Sequence, residues 1–107
     1  MKIYMLEPGK DLRSLIIPHD DLPLLQQLVG GYIEIVSFDG SHGNTVLIVD
    51  EEGKLKGKEP CMVWRGDILV GTVLFVGLDR RGELCDCPMT EEEIQERIER
   101  RRIAWAG

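Results

Sequence analysis

The stretch from Leu22 to Phe38, LPLLQQLVGGYIEIVSF, leaves the chain few choices: an apolar helix, a double-glycine stop and a β-prone strand follow one another without a linker. Leu22, Leu25 and Val29, with Leu24 and Leu28 beside them, recur at helical spacing and form a broad apolar face. Asp21 stands where a side-chain oxygen caps the first free amides, and Pro23 falls in the first turn, where its missing N–H costs nothing. Gly30 can adopt the left-handed conformation that ends a helix. Beyond Gly31 the period drops to two, with Tyr32, Glu34, Val36 and Phe38 on one face and Ile33, Ile35 and Ser37 on the other. A corner of this kind folds a helix back onto a sheet.

Reading outward from the corner, Lys2–Glu7 and Leu12–Ile17 read as the strands of a hairpin joined at Pro8-Gly9-Lys10. Asp39 to Asn44 is a polar, glycine-rich loop, and Thr45–Asp50 is a strand. Glu51 to Lys54 is a tight turn. Leu55 to Glu59 is an edge strand guarded by lysines or a charged loop. Cys61 to Trp64 is a strand or a turn of helix. Ile68 to Val76, apolar on both faces, reads as one central strand with Gly71 marking a bulge or a close backbone approach. Glu83 to Cys87 adds a short strand. Thr90 and Glu93 have capping-box spacing and open a final helix over about 91–103, with Glu93/Arg97 and Glu96/Arg100 as i,i+4 pairs. The expectation is one compact α+β domain over 1–107: a mixed or antiparallel sheet of about five strands, in the order β-β-α-β-β-β-α, with both helices packed on one face.

A chain of 107 residues can bury a core without staples. Its 13 basic and 19 acidic residues leave a net charge of −6, which argues against direct nucleic-acid binding and permits a basic partner. No apolar run is long enough for a signal or a membrane span, and three cysteines, an odd number, suit a reducing cytoplasm.

Chemistry is sparse. Cys85-x-Cys87 lacks the usual zinc-ligand spacing, so the cysteines are expected to be free thiols and no metal or cofactor is expected. Trp64 and Arg65 suggest an anion or nucleotide pocket by stacking and pairing, with His42, Asn44 and Tyr32 as further ligand-facing candidates; a core tryptophan beside a surface arginine weighs equally. Glu51, Glu52, Arg97 and Arg101 are candidate partner-binding residues. No carboxylate pair, Ser/His/Asp set or cofactor fingerprint stands out, so the chain reads as a non-enzymatic binding protein.

The ordered series YMLEPGK, LQQLVGGYIEIV, EEGKLKG, DILVGTVLFVG and MTEEEI, spanning about Lys2 to Ile98, resembles the domain-of-unknown-function family 3846. The resemblance implies small proteins frequent on phages, plasmids and mobile elements, without assigned catalysis. By analogy it points to counter-defence in a host bacterial cell, by sequestering a nucleotide second messenger or blocking a host defence protein. A small structural or regulatory interaction module is the alternative, and a hydrolase of such a signal the weaker one. Because Thr45–Asp50 and Ile68–Val76 offer more apolar strand surface than two short helices can cover, a homo-oligomer is expected.

Overall fold

A computed structural model describes residues 1–40 and 43–106, with side chains described as far as Ile98. The elements in order are β1 (Lys2–Leu6), β2 (Arg13–Ile16), α1 (Leu22–Val29), β3 (Ile33–Asp39), β4 (Asn44–Asp50), β5 (Pro60–Trp64), β6 (Asp67–Val70), β7 (Val73–Leu78), β8 (Leu84–Cys85) and α2 (Glu91–Ala106). Six strands form one sheet in the order β2-β1-β7-β4-β3, with β8 also paired to β7, and β5–β6 form a separate ribbon. Every pairing is antiparallel. The α+β class stands, and the main sheet of six strands is close to the expected five, with the two-stranded ribbon beside it.

The main sheet is covered on both faces. Ile3, Met5, Val46, Ile48, Leu74 and Val76 point to one side, where Leu25 and Val29 of α1 lie. Tyr4, Leu6, Leu47, Val49, Val73 and Phe75 point to the other, against Met62, Trp64 and Leu69 of the ribbon and Ile94 and Ile98 of α2. The two helices therefore sit on opposite faces, which corrects the expectation of a shared face. The period-two alternation of β1, β4 and β7 makes this possible, since each strand carries apolar side chains on both sides.

The run Ile68–Val76 is likewise not one strand. It divides at Gly71-Thr72: the first part pairs in the ribbon and the second enters the sheet. Gly71 has φ +72°, and a Cβ there would lie 2.8 Å from the Lys58 side chain. A larger residue there would be strained and would have to displace the Lys58 side chain, so the glycine suits the crossing between sheets. The ribbon adds the cover that two short helices lacked, and Val73, Leu74, Phe75 and Val76 are fully enclosed. The surplus apolar surface that motivated self-association is thus buried within a single chain. Glu51 to Gly57 wind through consecutive turns, so Leu55–Glu59 takes the loop form rather than a strand.

Local chemistry behaves as the corner predicts. Asp21 Oδ1 accepts from the Leu24 amide at 3.0 Å. Gly30, at φ +82° and ψ +27°, donates its N–H to the Gln26 carbonyl and closes α1. At α2, the Thr90 amide donates to Glu93 Oε1 and the Glu93 amide to Thr90 Oγ1, completing the capping box.

Candidate functional site

The strongest electrostatic feature joins segments far apart in sequence. The Asp50 carboxylate is nearly sealed from solvent, yet it accepts from Lys56 Nζ at 2.8 Å, pairs with Lys58 Nζ at 2.7 Å and accepts from the Glu52 amide at 2.9 Å. Burial pushes its pKa upward, and the two ammonium groups and the amide outweigh that push, so the carboxyl is lowered to about 2. The same lysines reach the end of α1: Lys58 donates to the Val29 carbonyl at 2.6 Å and Lys56 to the Gly30 carbonyl at 2.9 Å. Helix α1 has no basic residue in its own last turn, so the loop after β4 supplies the cations its C-terminus favours.

This cluster explains the second glycine of the corner. Gly31 needs no positive φ, but a Cβ on it would lie 2.5 Å from Lys56 Nζ and 2.6 Å from Asp50 Oδ1. Segments that carry the sequence pattern meet nearby: Glu7, Lys10, Val29, Gly30, Lys58 and Thr72 border a cleft of about 390 Å³. Lys58 is already engaged there by Asp50 and the helix end, so the arrangement is a joint between α1 and the loop.

Among the described residues, the candidates for a nucleotide pocket do not converge on one cavity. Trp64 is buried, its ring 4.5 Å from that of Phe38, and Nε1 donates to the Ser37 carbonyl at 2.8 Å. It is a core residue, with no face open for a ligand to stack on. Arg65 stands at the tip of the β5–β6 hairpin with φ +51°, followed by Gly66 at φ +78°, and its guanidinium lies 5.5 Å from the Trp64 ring. Asn44 is exposed at the start of β4. Arg97 forms an ion pair with the buried carboxylate of Asp39. His42 and the side chains of Arg100, Arg101, Arg102 and Trp105 lie outside the described residues.

Cys87 is buried and Cys61 and Cys85 are half-buried, and none of the three is in a disulfide. Burial raises the pKa of Cys85, helped by the charges of Asp79 and Asp86; burial also raises that of Cys87. Among the described residues no three His, Cys, Asp or Glu side chains converge as metal ligands.

Three predicted residues do come together. The Glu51 amide donates to the Tyr32 carbonyl at 2.8 Å, setting exposed Tyr32, Glu51 and Glu52 at one corner of the sheet. Strand β3 starts at that corner and is an edge strand. Glu34 and Ile35 are exposed on its opposite faces, Glu34 aligned with Val49 and Ile35 with Ile48. A second cleft, of about 240 Å³, has Glu34, Glu51, Leu55, Ile68 and the ion pair of Lys54 with Asp67 on its walls. Leu55 is 87 % exposed and Ile68 39 %, so the acidic groups are interleaved with apolar surface. Sequence reasoning missed Glu34, Ile35 and Leu55, because only the strand order shows that β3 has a free edge.

Fold and surface together define a small α+β protein built on an antiparallel sheet with an acidic, partly apolar edge. A family model described as Domain of unknown function (DUF3846) matches residues 1–101, and the chain belongs to that family. Neither a curated protein nor a solved structure matches it. Among the described residues no helix is long and apolar enough to cross a membrane.

Proposed function

We propose that the chain is a non-enzymatic binding module that titrates a basic protein through the corner formed by Tyr32, Glu34, Glu51 and Glu52. One observation carries this reading: these exposed residues cluster beside an open sheet edge, whereas Trp64 is buried in the core, Arg65 lies over its ring at a hairpin tip and Arg97 is held in an ion pair with Asp39. Exposed glutamates around an aromatic and an apolar edge suit a basic surface. The analogy of the sequence pattern with mobile-element proteins supports a blocker of a host defence protein, working in the host cytoplasm, over a sponge for a nucleotide signal.

Charge reversal tests the choice. Pull-down from a panel of purified bacterial defence proteins should retain a partner with the parent chain and with Arg65→Glu, and lose it with the double variant Glu51→Lys/Glu52→Lys. The reading fails if a nucleotide signal incubated with the chain returns intact after the protein is denatured and Arg65→Glu abolishes its capture. Altered nucleotide in the same assay identifies an enzyme instead.

A further inference from the structure

Strand β3 carries unpartnered backbone groups as well as charge. Because Glu51 bonds back to the Tyr32 carbonyl, Tyr32 belongs to a hydrogen-bonded position of the β3–β4 ladder. In an antiparallel pair such positions alternate with ones whose N–H and C=O turn away from the neighbour. Ile33, Ile35 and Ser37 are therefore the outward-turned residues. Trp64 corroborates this independently, since its indole N–H caps the Ser37 carbonyl from outside the sheet. The ribbon thus protects the far end of β3, and a bulge between Ser37 and Asp39 breaks the register beyond it. Near the corner, Ile33 and Ile35 present two N–H donors and two carbonyl acceptors along an edge without a lysine or proline to guard it.

We infer that this edge binds its partner by strand addition, accepting an extended segment of another protein that sets a lysine or arginine opposite Glu34 and apolar residues opposite Ile33 and Ile35. The inference rests on the basic-partner reading above and adds its geometry. Chemistry selects the occupant. An incoming strand that pairs with Ile33 and Ile35 places its intervening side chain beside Glu34, on the face where the cleft walled by Glu34, Glu51, Leu55, Asp67 and Ile68 opens. Asp67 on that wall already pairs with Lys54, so Leu55 and Ile68 can cover the methylene stem of a long basic side chain while Glu34 and Glu51 meet its charge. A second copy of β3 fits less well. The antiparallel register that uses only Ile33 and Ile35 sets Glu34 against its own copy, and like charges directly opposite are destabilising. Shifting the centre to Ile35 calls on Ser37, whose carbonyl Trp64 already occupies.

A defined peptide tests this on the full chain. The probe is the capped heptapeptide Thr-Val-Lys-Val-Lys-Val-Thr, followed by amide NMR with hydrogen exchange. It should slow exchange of the Ile33 and Ile35 amides at least about tenfold and leave Glu34, already in the ladder, little changed. N-methylation of its valines should weaken binding at least about tenfold, as should Ile35→Pro, whose missing N–H lies outside the native ladder and should spare the parent melting temperature. Should Ile35→Pro unfold, the methylated peptide decides on the parent chain. Methylated and plain peptides binding alike, or no protection of Ile33 and Ile35 at any attainable peptide concentration, overturns strand addition. If methylation is harmless while Glu51→Lys/Glu52→Lys abolishes binding, the acidic corner stands and strand addition falls. If a glutamate-for-lysine peptide binds as tightly, the basic-partner reading falls with it. Ile33 and Ile35 amides already protected in a peptide-free dimer would hand the edge to a second copy and overturn the proposal.

Discussion

At the scale of single residues, Asp50 carries the most. Its carboxylate is buried, doubly lysine-paired and lowered to about 2, so its folded-state value lies below that of the unfolded chain, near 3.9. A depressed carboxylate contributes stability that is complete above the unfolded value and disappears as pH falls through the folded one. Melting should therefore hold steady above about pH 5 and fall between about pH 4 and pH 2, the loss amounting to about 2 kcal/mol. Asp50→Asn should flatten that acid limb while lowering stability at neutral pH, because both lysines lose their buried counter-charge. A parent acid limb identical to that of the variant would show that another group titrates. Gly31→Ala is a sterically small change that should nonetheless cost about 1 kcal/mol or more in denaturant unfolding, since its methyl would separate Lys56 from Asp50.

Among the elements, helix α1 depends on both of its ends and on a loop that lies beyond β4. Gly30→Val places a β-branched residue at φ +82° and its Cβ 2.8 Å from Lys58 Nζ, so thermal melting should fall by more than the equivalent of about 1 kcal/mol. For α2 the capping box predicts about 1 kcal/mol for Thr90→Ala, read by urea unfolding. The ribbon is tied to the sheet edge through Trp64. Trp64→Phe retains most of the ring packing against Phe38 but leaves the Ser37 carbonyl without its indole donor, an expected loss of about 1 kcal/mol or more. Equal stability of the variant and the parent would mean that water replaces the indole.

The whole molecule is a sheet enclosed on both faces, with its exposed apolar residues displaced to edges and turns, such as Ile16, Tyr32, Ile35 and Leu55. Its net charge is −6, and the exposed carboxylates of Glu34, Glu51 and Glu52 gather around the start of β3. Its cysteines are half-buried or buried thiols, and raised pKa values at Cys85 and Cys87 keep those two protonated near neutral pH. Metal analysis of protein purified without chelator should accordingly find no stoichiometric zinc; zinc that survives dialysis would contradict this.

What the chain announces in its own sequence is governed by near neighbours. The Asp21 cap, the Pro23 turn, the Gly30 stop, the Thr90–Glu93 box and the two-residue alternation of β3 are all decided by residues a few positions apart, so spacing alone revealed them. Ile68–Val76 misled for the same reason. An uninterrupted apolar run is compatible with one buried strand or with two strands in different sheets, and only the neighbours that Leu69 and Phe75 find distinguish these. Likewise Trp64 beside Arg65 looked as much like a pocket as like core until the fold placed Phe38 and the Ser37 carbonyl around the indole. Local sequence determined the helices, their caps and the alternation of strands such as β3, because caps, turns and periodicity act over one turn or one strand. Tertiary structure alone decided which faces they cover, that Lys56 and Lys58 complete a helix end formed by Val29 and Gly30, and that β3 keeps an open edge, because burial and charge pairing depend on segments the chain brings together only by folding.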